Sequence, residues 1–207
     1  ARPRSLTAFP LVRRQILIVF TANRGAVRGG YRPDLRKHNL IEGVTRAAKP
    51  VDDSPLPWRP RGSQSERFRQ FCKRFLRVPK GHGVGKPVIL RDWQLQLVAS
   101  VMDAEPRPRL AGWMIGRGNG KSSLLAMWAV FELFTYGQGA SVVVCARSQD
   151  QARIIFNTAR QFVEQSPELK ARVQVARDRM YIPATFSSFD CLVSEPQALE
   201  GLDFSLA

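Results

Sequence analysis

Metal-binding side chains are scarce in this chain. It has two histidines, His38 and His82, and three cysteines, Cys72, Cys145 and Cys191. The cysteines are widely spaced, odd in number and form no C-x-x-C. Neither histidine has a paired ligand nearby, so a zinc site is excluded and the thiols read as small core residues in a reducing compartment. Long apolar runs are also missing. The longest early one, Ile16-Leu17-Ile18-Val19-Phe20, is far short of the ~20 residues that cross a bilayer, and no small-residue cleavage site follows it. The expectation is a cytoplasmic protein with no membrane partner. Acidic residues are few in the first half: residues 1–91 hold 5 Asp/Glu against 21 Lys/Arg, a surplus of 16, whereas residues 92–207 hold 12 against 11. The net charge of +15 therefore sits entirely in the N-terminal half and points to a polyanionic partner, most often nucleic acid.

At 207 residues with 44% hydrophobic side chains, the chain is long enough and apolar enough to bury a core. Residues 1–61 lack helical or alternating periodicity and are rich in Arg, Pro and Gly. They read as a basic irregular arm, with a short strand at 16–20. From residue 62 the pattern changes. Phe68, Phe71, Cys72, Phe75 and Leu76 recur at three- and four-residue spacing, predicting a helix over 64–78 with Arg67, Arg69, Lys73, Arg74 and Arg77 on its outer face. Those five residues are candidate DNA contacts. A helix follows over 92–103, capped by Asp92, then a buried strand at 109–116, a helix at 121–137, a buried strand at 140–146, a helix at 148–166, and short strands at 172–175, 179–182 and 190–193. This alternation predicts an α/β fold with a parallel sheet flanked by helices.

Two glycine-rich turns compete as phosphate loops. Gly81-His82-Gly83-Val84-Gly85-Lys86-Pro87 has no strand running into it, and Pro87 stands where a hydroxyl residue is needed. It reads as a plain loop. Gly116-Arg117-Gly118-Asn119-Gly120-Lys121-Ser122-Ser123 lies between a strand and a helix, the context a phosphate loop requires. Backbone N–H groups at the helix N-terminus attract phosphate oxygens there, and glycines let the backbone approach them. Lys121 is placed for the β- and γ-phosphates of ATP and Ser122 for Mg²⁺, with Ser123 a second hydroxyl near the phosphates. The first glycine of the usual G-x-x-x-x-G-K-[ST] spacing is replaced by Ile115, with Gly116 one residue late.

That departure, with the Arg117-Gly118-Asn119-Gly120-Lys121-Ser122 run, resembles the R-x-x-G-K-[ST] loop of large terminase subunits, the ATP-driven motors of phage DNA packaging. Arg91-Asp92-Trp93-Gln94, the 142–170 stretch and the 198–207 stretch resemble the same family in order, so that the likeness covers about residues 64–207. The resemblance implies a P-loop NTPase-type domain, ATP and Mg²⁺ as ligands, an adenine contact by Gln94 and a γ-phosphate-sensing role for Arg117, a task suited to a permanently charged bidentate group. It also implies double-stranded DNA, a small terminase subunit and a portal protein as partners, a ring of like subunits, and the host cytoplasm as the place of action. The family's Asp-Glu pair at the end of the next strand has no counterpart before residue 207. The chain is thus expected to be the front part of a motor, with little turnover by itself and no nuclease domain. Two other readings stay open at this point: another P-loop ATPase, helicase-like or AAA-type, and a non-catalytic nucleic-acid-binding or assembly protein.

Overall fold

The computed structural model describes residues 51–193 and 204–206, together with the backbone of strand β1 at Leu17–Val19. The remainder of the predicted arm, and residues 198–203 of the last family-like stretch, lie outside the described residues. The elements run β1, α1 (Gln64–Phe75), α2 (Asp92–Met102), β2 (Leu110–Gly112), α3 (Lys121–Thr135), β3 (Ser141–Ala146), α4 (Gln149–Glu164), α5 (Pro167–Lys170), β4 (Gln174–Val175), β5 (Arg179–Ile182) and β6 (Ser187–Val193).

The α/β layering read from the sequence is observed, and the sheet that carries it is mixed. Its order is β3-β6-β5-β4. β3 and β6 are parallel with Ser141 opposite Ser188, and Leu206 adds a parallel bridge to Val142 on the other edge of β3. β5 and β4 instead return antiparallel. The reason is local: β5 meets β6 through the single 3₁₀ turn Pro183–Thr185, and so short a connection joins antiparallel neighbours, whereas the β3–β6 crossover carries α4. Arg153 on α4 forks onto Asp178 at 2.7 and 2.9 Å, fastening that crossover helix to the turn before β5.

α3 is the centre of the core. Leu124, Ala126, Met127, Trp128, Ala129, Val130, Phe131 and Leu133 are all buried, so almost every face is covered, as an apolar helix with no polar stripe requires. α1 covers one side through Phe68, Phe71 and Phe75, with the Phe68 and Phe71 rings both 5.4 Å from Phe131 in edge-to-face contact. α4 covers another, presenting Ala152, Phe156, Ala159 and Phe162. Residues 51–61, read from composition as part of the arm, are docked here. The Trp58 ring lies edge-on to Phe71, Phe75 and Phe131 at 5.5, 5.9 and 6.4 Å. Arg172 donates to the Ser54 carbonyl at 2.8 Å and pairs with Asp52 at 2.7 Å. Cys72 and Cys191 are buried, Cys145 is half-buried, and all three are free thiols, as expected.

Two expectations are corrected. The 109–116 stretch is not a buried strand. β2 spans only three residues and pairs with β1 alone, Leu17 opposite Leu110, in a two-stranded parallel ribbon separate from the main sheet. With one partner strand its apolar side chains stay open, Leu110 at 61% and Met114 at 91% exposure. Asp92 does not cap α2 either. Arg91 is the N-cap and Asp92 the first helical residue, where its charge still favours the helix N-terminus.

Candidate nucleotide site

The strand–turn–helix reading places the loop correctly at the start of α3. Gly118 and Gly120 have φ of +81° and +71°, the left-handed region that only glycine enters at low cost. Gly116 has no such constraint, so the displaced glycine is not the one on which the turn depends. Gly120 is the N-cap of α3 and offers no side-chain cap. The first intrahelical bond runs from the Leu124 N–H to the Gly120 carbonyl at 2.9 Å, leaving the N–H groups of Lys121, Ser122 and Ser123 without a partner among the described residues. Four-turn α3 thus ends in a concentration of donors and the positive pole of its dipole. Asn119 Nδ2 donates to the Gly116 carbonyl across the loop at 3.4 Å.

Arg117 is exposed and Lys121, Ser122 and Ser123 are half-buried. Neither cation makes a hydrogen bond or ion pair among the described residues. Gln94, 26 residues earlier than Gly120 in the chain, is brought beside the loop. Its Oε1 accepts from the Arg91 N–H at 3.0 Å, closing the first turn of α2, and its Nε2 lies 3.7 Å from where a Cβ on Gly120 would stand. Next to the loop, α2 and β2 enclose a cleft of about 630 Å³. Trp93, Gln96, Leu97 and Ser100 from α2 face Trp113, Met114, Gly116 and Asn119 across it. Of the α2 side of this cleft the sequence reading singled out none; the signal was the three- and four-residue spacing of 93, 96, 97 and 100, which puts them on one helical face.

The basic helix is a different matter. Four of its five candidate residues are engaged within the molecule. Arg69 forks onto Glu66 at 2.8 and 2.7 Å, and that bond, with one from Gln70, holds the Glu66 carboxyl down at about 2. Arg74 pairs with Glu168 at 3.2 Å and stacks over Phe75. Arg67 donates to the Gly62 carbonyl and Arg77 to the carbonyls of Arg74 and Leu76 at the end of α1. Lys73 alone is exposed with no partner among the described residues. No hydrogen bond or ion pair among the described residues joins any of the five to the loop.

Comparison with known proteins decides the family. The sequence profile described as "Terminase large subunit, ATPase domain" matches residues 93–207, more than half the chain. The chain belongs to that family. The large terminase subunit of Enterobacteria phage HK97 is 32% identical over 115 residues, which are 55% of this chain and 23% of that protein. The crystal structure of the HK97 bacteriophage large terminase matches with a TM-score of 0.61 at 27% identity, over 69% of this chain and 30% of the other. The terminase ATPase domain described here therefore spans less than a third of the length of these relatives. No described helix is long and apolar enough to cross a membrane.

Proposed function

We propose that this terminase ATPase domain binds Mg²⁺-ATP at residues 116–123 and, in an intact motor, couples its hydrolysis to packaging of double-stranded DNA into a capsid. The observation that carries the proposal is the N-terminus of α3: two left-handed glycines, three unpartnered N–H groups and an unpaired lysine at the head of a buried helix. A triphosphate fits that donor set, because fixed N–H dipoles and two cations offset its charge without a carboxylate competing for them. Lys121 would hold the β- and γ-phosphates, Arg117 would lie on the γ-phosphate, and the Ser122 hydroxyl would take one position on Mg²⁺. Ser123 would approach the α-phosphate. A bound Mg²⁺ would supply neutralisation of the phosphate charge there.

Gln94 would contact the adenine. A carbonyl oxygen has two lone pairs, so Oε1 can keep its bond to the Arg91 N–H and still accept from an exocyclic amine, while Nε2 stays free to donate. Portal, small-subunit and ring contacts follow from the family role and belong to the same proposal.

The test is Mg²⁺-ATP binding by calorimetry for the wild type, Arg117→Ala, Lys121→Ala and Ser122→Ala. The expected result is binding by the wild type, at least tenfold weaker binding by both cation variants, and loss of the Mg²⁺ dependence in Ser122→Ala. Equal binding by all four would remove the loop from the site. Salt-sensitive DNA binding with no nucleotide binding would favour the non-catalytic reading.

A further inference from the structure

Between Glu66 and Asp92 the chain contains eight Lys/Arg (Arg67, Arg69, Lys73, Arg74, Arg77, Lys80, Lys86 and Arg91) and not one Asp or Glu. The structure sorts these cations. The arginines of α1 and its C-terminal end are engaged with Glu66, Glu168 or backbone carbonyls. Lys73 on α1, Lys80 and Lys86 are exposed, and their side chains make no bond or ion pair among the described residues. Of these, Lys80 and Lys86 lie together on the turn that joins α1 to α2.

That turn is a built hairpin. The Val78 N–H donates to the Lys86 carbonyl at 2.9 Å, the Gly85 N–H to the Val78 carbonyl at 3.0 Å, and the Val88 N–H to the Leu76 carbonyl at 3.1 Å. Arg77 and Pro87 form an antiparallel bridge at its base. Leu76, Val88 and Leu90 anchor the base in the core at 0, 8 and 9% exposure. The tip is held away from the core. Gly81, Gly83 and Gly85 all have φ near +80°, and a Cβ at Gly81 or Gly85 would meet nothing within 4 Å. These glycines are needed for the backbone path, and between the lysines they alternate with two exposed side chains, His82 and Val84. The N–H groups of His82 and Gly83 have no acceptor among the described residues.

We infer that this hairpin grips the phosphate backbone of double-stranded DNA through Lys80 and Lys86, an inference that rests on the packaging role proposed above. A rigid, carboxylate-free tip with two free ammonium groups and uncovered backbone donors suits a line of phosphates. Such contacts position a duplex without reading its sequence. A mononucleotide is a poor occupant, because the tip is exposed, no helix N-terminus follows Lys86, and Pro87 contributes no donor. The hairpin is also better placed for this task than the outer face of α1, whose arginines would first have to leave their internal partners.

The experiment measures binding of a random-sequence 30-base-pair duplex by fluorescence anisotropy between 50 and 200 mM salt. It compares the wild type, the double variant Lys80→Ala/Lys86→Ala, and Lys170→Ala, which removes an exposed charge from α5. Each phosphate contact contributes about 0.9 to the slope of log affinity against log salt. The double variant is expected to lower the slope by about 1.8 and to leave Mg²⁺-ATP binding and the thermal midpoint unchanged, while Lys170→Ala leaves the slope unaltered. A wild type that binds the duplex, with a double variant of equal slope and affinity, overturns the hairpin assignment alone. An equal per-charge effect from Lys170→Ala overturns it too, since the attraction is then diffuse. A wild type that binds no duplex, or that prefers single-stranded RNA, overturns the hairpin inference. If that wild type still binds Mg²⁺-ATP, the nucleotide site stands and only its coupling to DNA falls.

Discussion

Gln94 and Gly120 are in register across the mouth of the glycine-rich loop: a Cβ on Gly120 would stand 3.7 Å from Gln94 Nε2. That spacing is ordinary van der Waals contact, so there is room for a methyl group at position 120 and only the backbone forbids it. The same comparison separates the three loop glycines. A Cβ on Gly118 would meet nothing, yet its φ is +81°, whereas Gly116 has no positive φ and would bring its Cβ 3.3 Å from the movable end of Asn119.

Gly118→Ala and Gly120→Ala should each strain the loop by about 1–2 kcal/mol and weaken Mg²⁺-ATP binding roughly tenfold. Gly116→Ala should bind within about twofold of wild type, because a side-chain amide can yield. The ranking is checked by titration of the three variants side by side. A Gly116→Ala defect as large as that of Gly120→Ala would show that the late glycine carries the site after all.

Glu132 stands in the middle of the apolar surface of α3. It is 4% exposed, its Oε1 has no hydrogen-bond partner among the described residues, and burial lifts its carboxyl from 4.5 to about 7 against a weaker opposing pull from Arg107. A raised folded-state value means that the folded protein holds the proton more tightly than the unfolded chain. The stabilisation is complete below about pH 4.5 and is lost as pH rises through about 7. Glu132→Gln mimics the protonated form. It should raise the thermal midpoint at pH 8, by a stability increment on the order of 1–3 kcal/mol, and change little at pH 5. Thermal melts of both proteins at the two pH values decide it; equal midpoints at pH 8 would contradict the assignment.

Trp58 closes the aromatic cluster over α1 and α3 from the docked segment. Trp58→Ala should cost about 3 kcal/mol and release residues 51–61 from the surface. The second effect is readable without thermodynamics. Trypsin should cut after Arg61, which precedes Gly62, much faster in the variant than in the wild type. Unaltered cleavage together with an unaltered urea midpoint would mean that the segment is held by Arg172 and its partners alone.

How much of this was legible before the fold is seen differs from residue to residue. The glycine-rich turn at the head of α3 was legible because its signal is local: a strand, a run of glycines and a lysine at the head of a helix lie within a dozen positions. The core helices were legible from periodicity for the same reason. β2 was not, because Ala111-Gly112-Trp113-Met114-Ile115 is apolar and apolarity was read as burial; whether a strand is covered depends on which neighbours reach it. The engagement of Arg74 was hidden as well, since Glu168 lies far along the chain. Trp58 sits among prolines and arginines with no period to mark it as a core residue. Glu132 looked like one polar residue in an apolar helix, and only the folded packing around α3 removes its solvent.

The pairing of β1 with β2 also constrains how the domain assembles in time. The strand that delivers the chain to the glycine-rich loop takes its partner from Leu17–Val19, whereas α3, β3, α4 and β6 find one another over much shorter stretches of chain. Closing the longer loop carries the larger entropic cost and returns only three paired residues. During synthesis, the N-terminal strand leaves the ribosome long before its partner exists, and must wait, unpaired and apolar, until the loop strand emerges. The core elements emerge later still, but their shorter closures let them consolidate first once they are out, so that the ribbon leading into the glycine-rich loop is a late event in folding.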